Sequence, residues 1–89
     1  MKNQLDKFRK QIDEIDNLII DLLVKRMRVV KKVGQYKKSK NLPPLDPARW
    51  QQVLTSKIEK AKSLGLDPEM VKKIYNIMHD YALKIEEKV

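Results

Sequence analysis

Cysteine is absent from this 89-residue chain, which removes both a disulfide framework and a thiolate metal site. Its single histidine cannot form a His-cluster site, and no short segment gathers carboxylates at metal-ligand spacing. No metal or cofactor is therefore expected. Long apolar runs are missing too. Nothing approaches the ~20 residues needed to cross a bilayer, and the opening MKNQLDKFRK carries no apolar signal region. A reduced, cytoplasmic protein with no membrane partner is the expectation. Aromatic residues make up only 6% of the chain, and no nucleic-acid recognition motif or arginine-rich groove helix is evident. Strand signals and low-complexity segments are lacking as well.

What is present is charge and helical periodicity. The formal net charge of +8 suggests an anionic partner without choosing between a polyanion and a small acid. Most of the excess is lysine on the polar sides of helices, a solvated basic surface. The length suits one domain over residues 1–89, near the lower limit for a self-sufficient core. Apolar residues recur at alternating steps of three and four through Leu5, Phe8, Ile12, Ile15, Ile19, Leu22, Val29, Val33 and Tyr36, one face of a helix from about Leu5 to about Lys38. A loop from Ser39 to Leu45 carries Pro43 and Pro44. Asp46-Pro47 then supplies an N-cap and a first-turn proline. The second helix should bury Trp50, Val53, Leu54, Ile58 and Ala61 and end at Leu64-Gly65, where glycine suits a left-handed cap. Asp67-Pro68-Glu69 repeats the start signal. The third helix presents Met70, Val71, Ile74, Ile77, Met78, Tyr81 and Ile85 as its inner face. The predicted class is all-α, one long helix and two shorter ones.

That first helix is too long for one chain to cover. Roughly 34 residues at ~1.5 Å each span about 50 Å, whereas a compact globule of this length has a diameter of roughly 30 Å. The apolar stripe continues along the rod, so a second copy is expected to bury the remainder. An intertwined homodimeric helical bundle with antiparallel long helices follows.

Polar residues on inward faces carry the functional reading. Arg26 stands inside the stripe of the first helix, where a leucine is expected, and Lys37 lies about three turns further along. A buried cation is costly unless paired, so both point to an anion. Arg9 sits at the stripe's edge. Arg49 occupies the first turn of the second helix, where free amides also favour negative charge. Glu86 continues a line through Met78 and Ala82. Four cations and one carboxyl facing a helical interior suit a small dicarboxylate, which arginine's planar fork grips with two parallel bonds.

Taken together, Phe8-Arg9, Ile12-Asp13-Glu14-Ile15-Asp16, Leu22-Leu23-Val24-Lys25-Arg26-Met27, Val33-Gly34-Gln35-Tyr36-Lys37 and Asp46-Pro47-Ala48-Arg49, in that order and spacing, resemble the all-helical chorismate mutases over essentially the full length. The resemblance implies an intertwined dimer of three-helix subunits that rearranges chorismate to prephenate, the branch-point step towards phenylalanine and tyrosine. The reaction is a concerted pericyclic shift needing no nucleophile, metal or cofactor. The protein must hold a flexible dicarboxylate in a compact geometry and stabilise charge on the breaking ether oxygen. By the same resemblance Arg26 and Arg9 grip carboxylates, Arg9 reaching in from the partner subunit. Lys37 bonds a carboxylate and the ether oxygen, while Asp46 (through its backbone) and Arg49 shape the loop side. Such mutases occur alone or fused to other shikimate-pathway enzymes, so association with a pathway enzyme is a further expectation.

Three positions depart from the family's pattern. Trp50 stands where Glu or Gln usually contacts the ring hydroxyl, Ala82 where a small polar residue is common, and Glu86 where glutamine is frequent. A carboxylate cannot donate to the ether oxygen but a protonated carboxyl can, so activity is expected to require protonated Glu86 and to fade as pH rises. An apolar residue after the loop arginine also occurs in related isochorismate–pyruvate lyases, which keeps that activity as an alternative. A non-enzymatic basic module, binding nucleic acid or serving as a dimerisation scaffold, is the other. It fits less well, because the cations that matter face inward, away from any phosphate backbone.

Overall fold

The computed structural model describes residues 3–89. They form α1 (Gln4–Ser39), α2 (Pro47–Ser63) and α3 (Pro68–Glu87), an all-α chain. Each helix starts on a capping side chain, as its sequence dictates. Asn3 Oδ1 accepts from the Asp6 N–H at 2.9 Å, Asp46 Oδ1 from Arg49 N–H at 3.1 Å, and Asp67 Oδ1 from Glu69 N–H at 2.9 Å. Proline opens both α2 and α3. α2 ends as expected at Gly65, φ +75°, with Leu66 N–H donating to the Ala61 carbonyl at 2.9 Å. α1 ends by the same device, with Asn41 in the left-handed position (φ 57°) and Leu42 N–H donating to the Lys37 carbonyl at 2.8 Å. Both are Schellman-type closures, which satisfy carbonyls that the helix leaves open.

α3 packs against both α1 and α2, and those two do not pack on each other. The shape is elongated, 59 × 26 × 15 Å, with a radius of gyration of 16.8 Å, against ~12 Å for a compact chain of this length. Buried residues are few: Gly34 on α1, Ala61 on α2, Val71 and Ala82 on α3. On α2, Trp50, Val53, Leu54 and Ile58 are half-buried alongside Ala61, the face its periodicity announced.

Of the other two faces, that of α3 needs correcting, and that of α1 divides in two. On α1 the residues half-buried or buried within the chain are Leu23, Arg26, Met27, Val30, Gly34 and Lys37. The regular stripe lies on a neighbouring face and stays open: Ile12 is 55% exposed, Leu22 61% and Tyr36 61%. On α3 the inward line is Val71, Tyr75, Met78, Ala82 and Ile85, while Met70, Ile74, Ile77 and Tyr81 face outward. The cause is common to both helices. Each carries two adjacent apolar faces, and one chain has partners for only one of them. Each large apolar side chain left out forgoes ~1.5–3 kcal/mol of burial. None of the helices among the described residues is long and apolar enough to cross a membrane.

Candidate active site

Arg26 reaches the inter-helix space because 3.6-residue periodicity puts it beside the α3-facing line Leu23, Met27, Val30. Its Nη1 is buried and has no hydrogen-bond partner. A buried donor left unsatisfied costs ~1–3 kcal/mol, more when charged. The guanidinium lines a cleft of about 480 Å³ with Arg49, Gln52, Val53, Ser56, Lys57 and Tyr75. Three cations thus share one cleft whose lining includes no carboxylate, an arrangement made for an anionic ligand. Arg49 is exposed on the first turn of α2, its Nη1 donating to Gln52 Oε1 at 2.7 Å.

Lys37 stands at the end of α1, ~16 Å along the axis from Arg26. Its ammonium donates to the Pro44 carbonyl at 2.5 Å, which ties the loop to the helix. It also lies 2.7 Å from Glu86 Oε1, with side-chain exposures of 19% and 9%. This is an ion-pair contact whose angles miss a hydrogen bond, so the carboxylate oxygen keeps unused acceptor capacity. The pair lines a cleft of about 440 Å³ together with Gly34, Leu42 and Pro44. On the loop's other side Lys37 shares a smaller cleft with Asp46 and Pro47.

The sequence-predicted residues therefore fall into two groups within one chain: Arg26 with Arg49, and Lys37 with Glu86. Asp46 sits between them as the α2 cap, its carbonyl accepting from Trp50 N–H at 2.9 Å. Arg9 joins neither group. It is exposed and lies ~25 Å along the straight α1 rod from Arg26, so its own chain cannot bring it to the site. Ala82 is buried one turn before Glu86, 7% exposed. Trp50 lines neither cleft. It stacks on His79, centroids 3.9 Å apart and planes 20° from parallel, and so wedges α2 onto α3.

Gln52, Ser56, Lys57 and Tyr75 on the Arg26 cleft, and Gly34 and Pro44 beside Lys37, are not among the sequence-predicted site residues. The i+3, i+4, i+7 and i+8 relation of Gln52, Val53, Ser56 and Lys57 to Arg49 marks one face of α2. A carbonyl such as that of Pro44 leaves no side-chain signal. Among the described residues no group of His, Cys, Asp or Glu could hold a metal ion.

Comparison with known proteins bears on what this arrangement does. The family described as chorismate mutase type II matches residues 8–87. The chain is 35% identical over 74 residues to the T-protein of Enterobacter agglomerans, covering 83% of this chain and 20% of that protein. It is 33% identical over 86 residues to the chorismate mutase of Methanocaldococcus jannaschii, covering 94% and 87%. A bifunctional chorismate mutase/prephenate dehydratase of Aquifex aeolicus is 32% identical over 89 residues, covering 97% of this chain and 25% of its own length. The chain thus spans about a fifth of the first of these relatives, a quarter of the third and most of the second.

Proposed function

Since the chain belongs to the chorismate mutase type II family, we propose that it converts chorismate to prephenate, and that the two clefts are the two sides of one substrate site closed by a second copy. The observation that carries this is the buried, unpartnered Arg26 Nη1. A donor held dry without an acceptor is preorganised for one that arrives, and a carboxylate matches the guanidinium fork. Arg49 attracts the same end of the ligand. Lys37 serves a second carboxylate and the ether oxygen, on which negative charge grows as the C–O bond breaks. Fixed cations in a water-poor cleft stabilise that charge without reorganising, and holding both ends together favours the reactive conformer.

Glu86 is the donor opposite Lys37. In the ligand-free chain its carboxylate faces the ammonium at 2.7 Å, and it can give a hydrogen bond to an oxygen only after taking a proton. Asp46 holds the first turn of α2 so that Arg49 faces the cleft. Ala82, buried one turn before Glu86, offers the ligand no polar group. Trp50, stacked on His79, offers a ring hydroxyl no acceptor, which supports isochorismate–pyruvate lyase activity as the second reading.

The open stripes on α1 and α3 support a homodimer in which Arg9 comes from the partner subunit, since no arrangement within one chain uses either. Fusion to, or association with, another shikimate-pathway enzyme is consistent with the bifunctional relative. A direct assay tests the reading: chorismate and isochorismate consumption by the wild type and by Arg26→Ala. Mutase turnover that drops about 100- to 1000-fold in the variant is expected. A folded wild type that consumes no chorismate overturns it.

A further inference from the structure

Gly34 is the one buried residue of α1, and it lies one turn before Lys37 on the face that meets α3. A Cβ placed on it would stand 2.8 Å from Glu86 Cα, 3.1 Å from Glu86 Cγ and 3.0 Å from Val89 Cγ2. The nearest obstacle is backbone, so no rotamer change relieves it. At this point the last turn of α3 rests directly on the α1 backbone. The same contact sets where the Glu86 carboxyl can be, 2.7 Å from Lys37 Nζ. In a helix interior glycine costs ~1 kcal/mol relative to alanine, so local helix stability does not explain its presence.

From this geometry we infer that Gly34 is a positioning residue for Glu86: the missing side chain lets the end of α3 close onto α1 and hold the carboxyl against Lys37. The inference rests on the mutase reading only for its catalytic consequence. Its geometric content is that adding one methyl group at position 34 moves Glu86 away from Lys37 while the fold stays intact. The contact is confined to the last turn of α3, and the rest of the α1–α3 seam, around Leu23, Met27 and Val30, is untouched. A displacement of the donor by about 1 Å is enough to cost on the order of 100-fold in rate.

The test has a catalytic and a non-catalytic arm. Gly34→Ala is expected to keep the parent circular-dichroism spectrum and to lower kcat on the order of 10- to 100-fold, with KM within about twofold. In the Glu86→Ala background the same change has no further effect on kcat, because the group it displaces is already gone. Adding Val89→Ala to Gly34→Ala does not restore kcat, since the closest contact is Glu86 Cα. Independently of turnover, Lys37→Met and Glu86→Gln shift the melting temperature non-additively in the parent and additively in the Gly34→Ala background. Equal non-additivity in both backgrounds, rescue by Val89→Ala, or a fully additive kcat effect with Glu86→Ala overturns the positioning role. So does an unfolded Gly34→Ala, which assigns the glycine to the fold as a whole. If the wild type proves inactive on chorismate, the mutase reading fails, and the melting cycle still decides the positioning claim.

Discussion

Replacing Arg26 with methionine should make the ligand-free protein more stable and nearly inactive. The side chain is half-buried and its Nη1 is dry and unpartnered. Methionine keeps much of the stem's packing and removes the stranded donor, relieving ~1–3 kcal/mol. For a domain of this size each kcal/mol moves the melting temperature by about 4–8 °C, so a rise of at least ~4 °C is expected, compared at fixed protein concentration. In the same variant kcat/KM for chorismate falls about 100- to 1000-fold. A dicarboxylate inhibitor closes the comparison. At 100 times its Kd a ligand stabilises the folded state by ~2.7 kcal/mol, which should appear in wild-type melts and vanish in Arg26→Met. Opposite signs in stability and activity mark a residue kept for its ligand. A variant that melts below the wild type would refute the reasoning, because Arg26 would then be held by an acidic group of a second copy and serve the interface.

Mixing Arg9→Ala with Arg26→Ala, each nearly inactive alone, should restore activity after refolding together: in a mixed dimer one of two sites keeps both arginines, about a quarter of all sites for random pairing. No recovery in a mixture shown by mass spectrometry to contain heterodimers rules out Arg9 acting across subunits. Glu86→Gln should keep or raise kcat, because an amide donates where a carboxylate only accepts; a loss of about 100-fold or more removes Glu86 as a donor to the ether oxygen. Gly65→Ala should cost ~1 kcal/mol in chemical denaturation, since φ is +75° and the added methyl group meets nothing within 4 Å. A neutral result there denies that the left-handed cap matters.

Element boundaries were legible because their chemistry is local. Asp46, Asp67, Pro47 and Pro68 act within one turn of their own backbone, and the helix spans agree to within a residue or two of the expected ones. The three-and-four spacing of α1 was equally plain, but periodicity gives an angle around an axis and not the identity of what lies there. Hence spacing alone does not divide the stripe through Ile12 and Leu22 between the chain's own core and a second copy, and α3 sits on the adjacent line through Met27 and Gly34. Arg26 was found because a cation broke an apolar pattern. Gly34 stands in the sequence only as part of the block ending at Lys37, because its contribution is an absent side chain, visible only once α3 lies across it. Periodicity places Trp50 on the buried face of α2, where it lies, and only the resemblance makes it a substrate neighbour; its stacking on His79 depends on the α2–α3 crossing, which spacing along either helix cannot reveal.

The central place of α3 also bears on how the protein is made. α1 and α2 emerge from the ribosome first, and neither packs on the other. Both must wait, apolar faces open, until α3 follows them. Translation therefore yields no native tertiary contact between these helices until two of the three are complete, and the nascent chain is exposed to proteases and chaperones for most of its synthesis. Codon changes that slow translation just before α3 should lengthen that vulnerable interval, while the same changes in the first turns of α1 should have little effect.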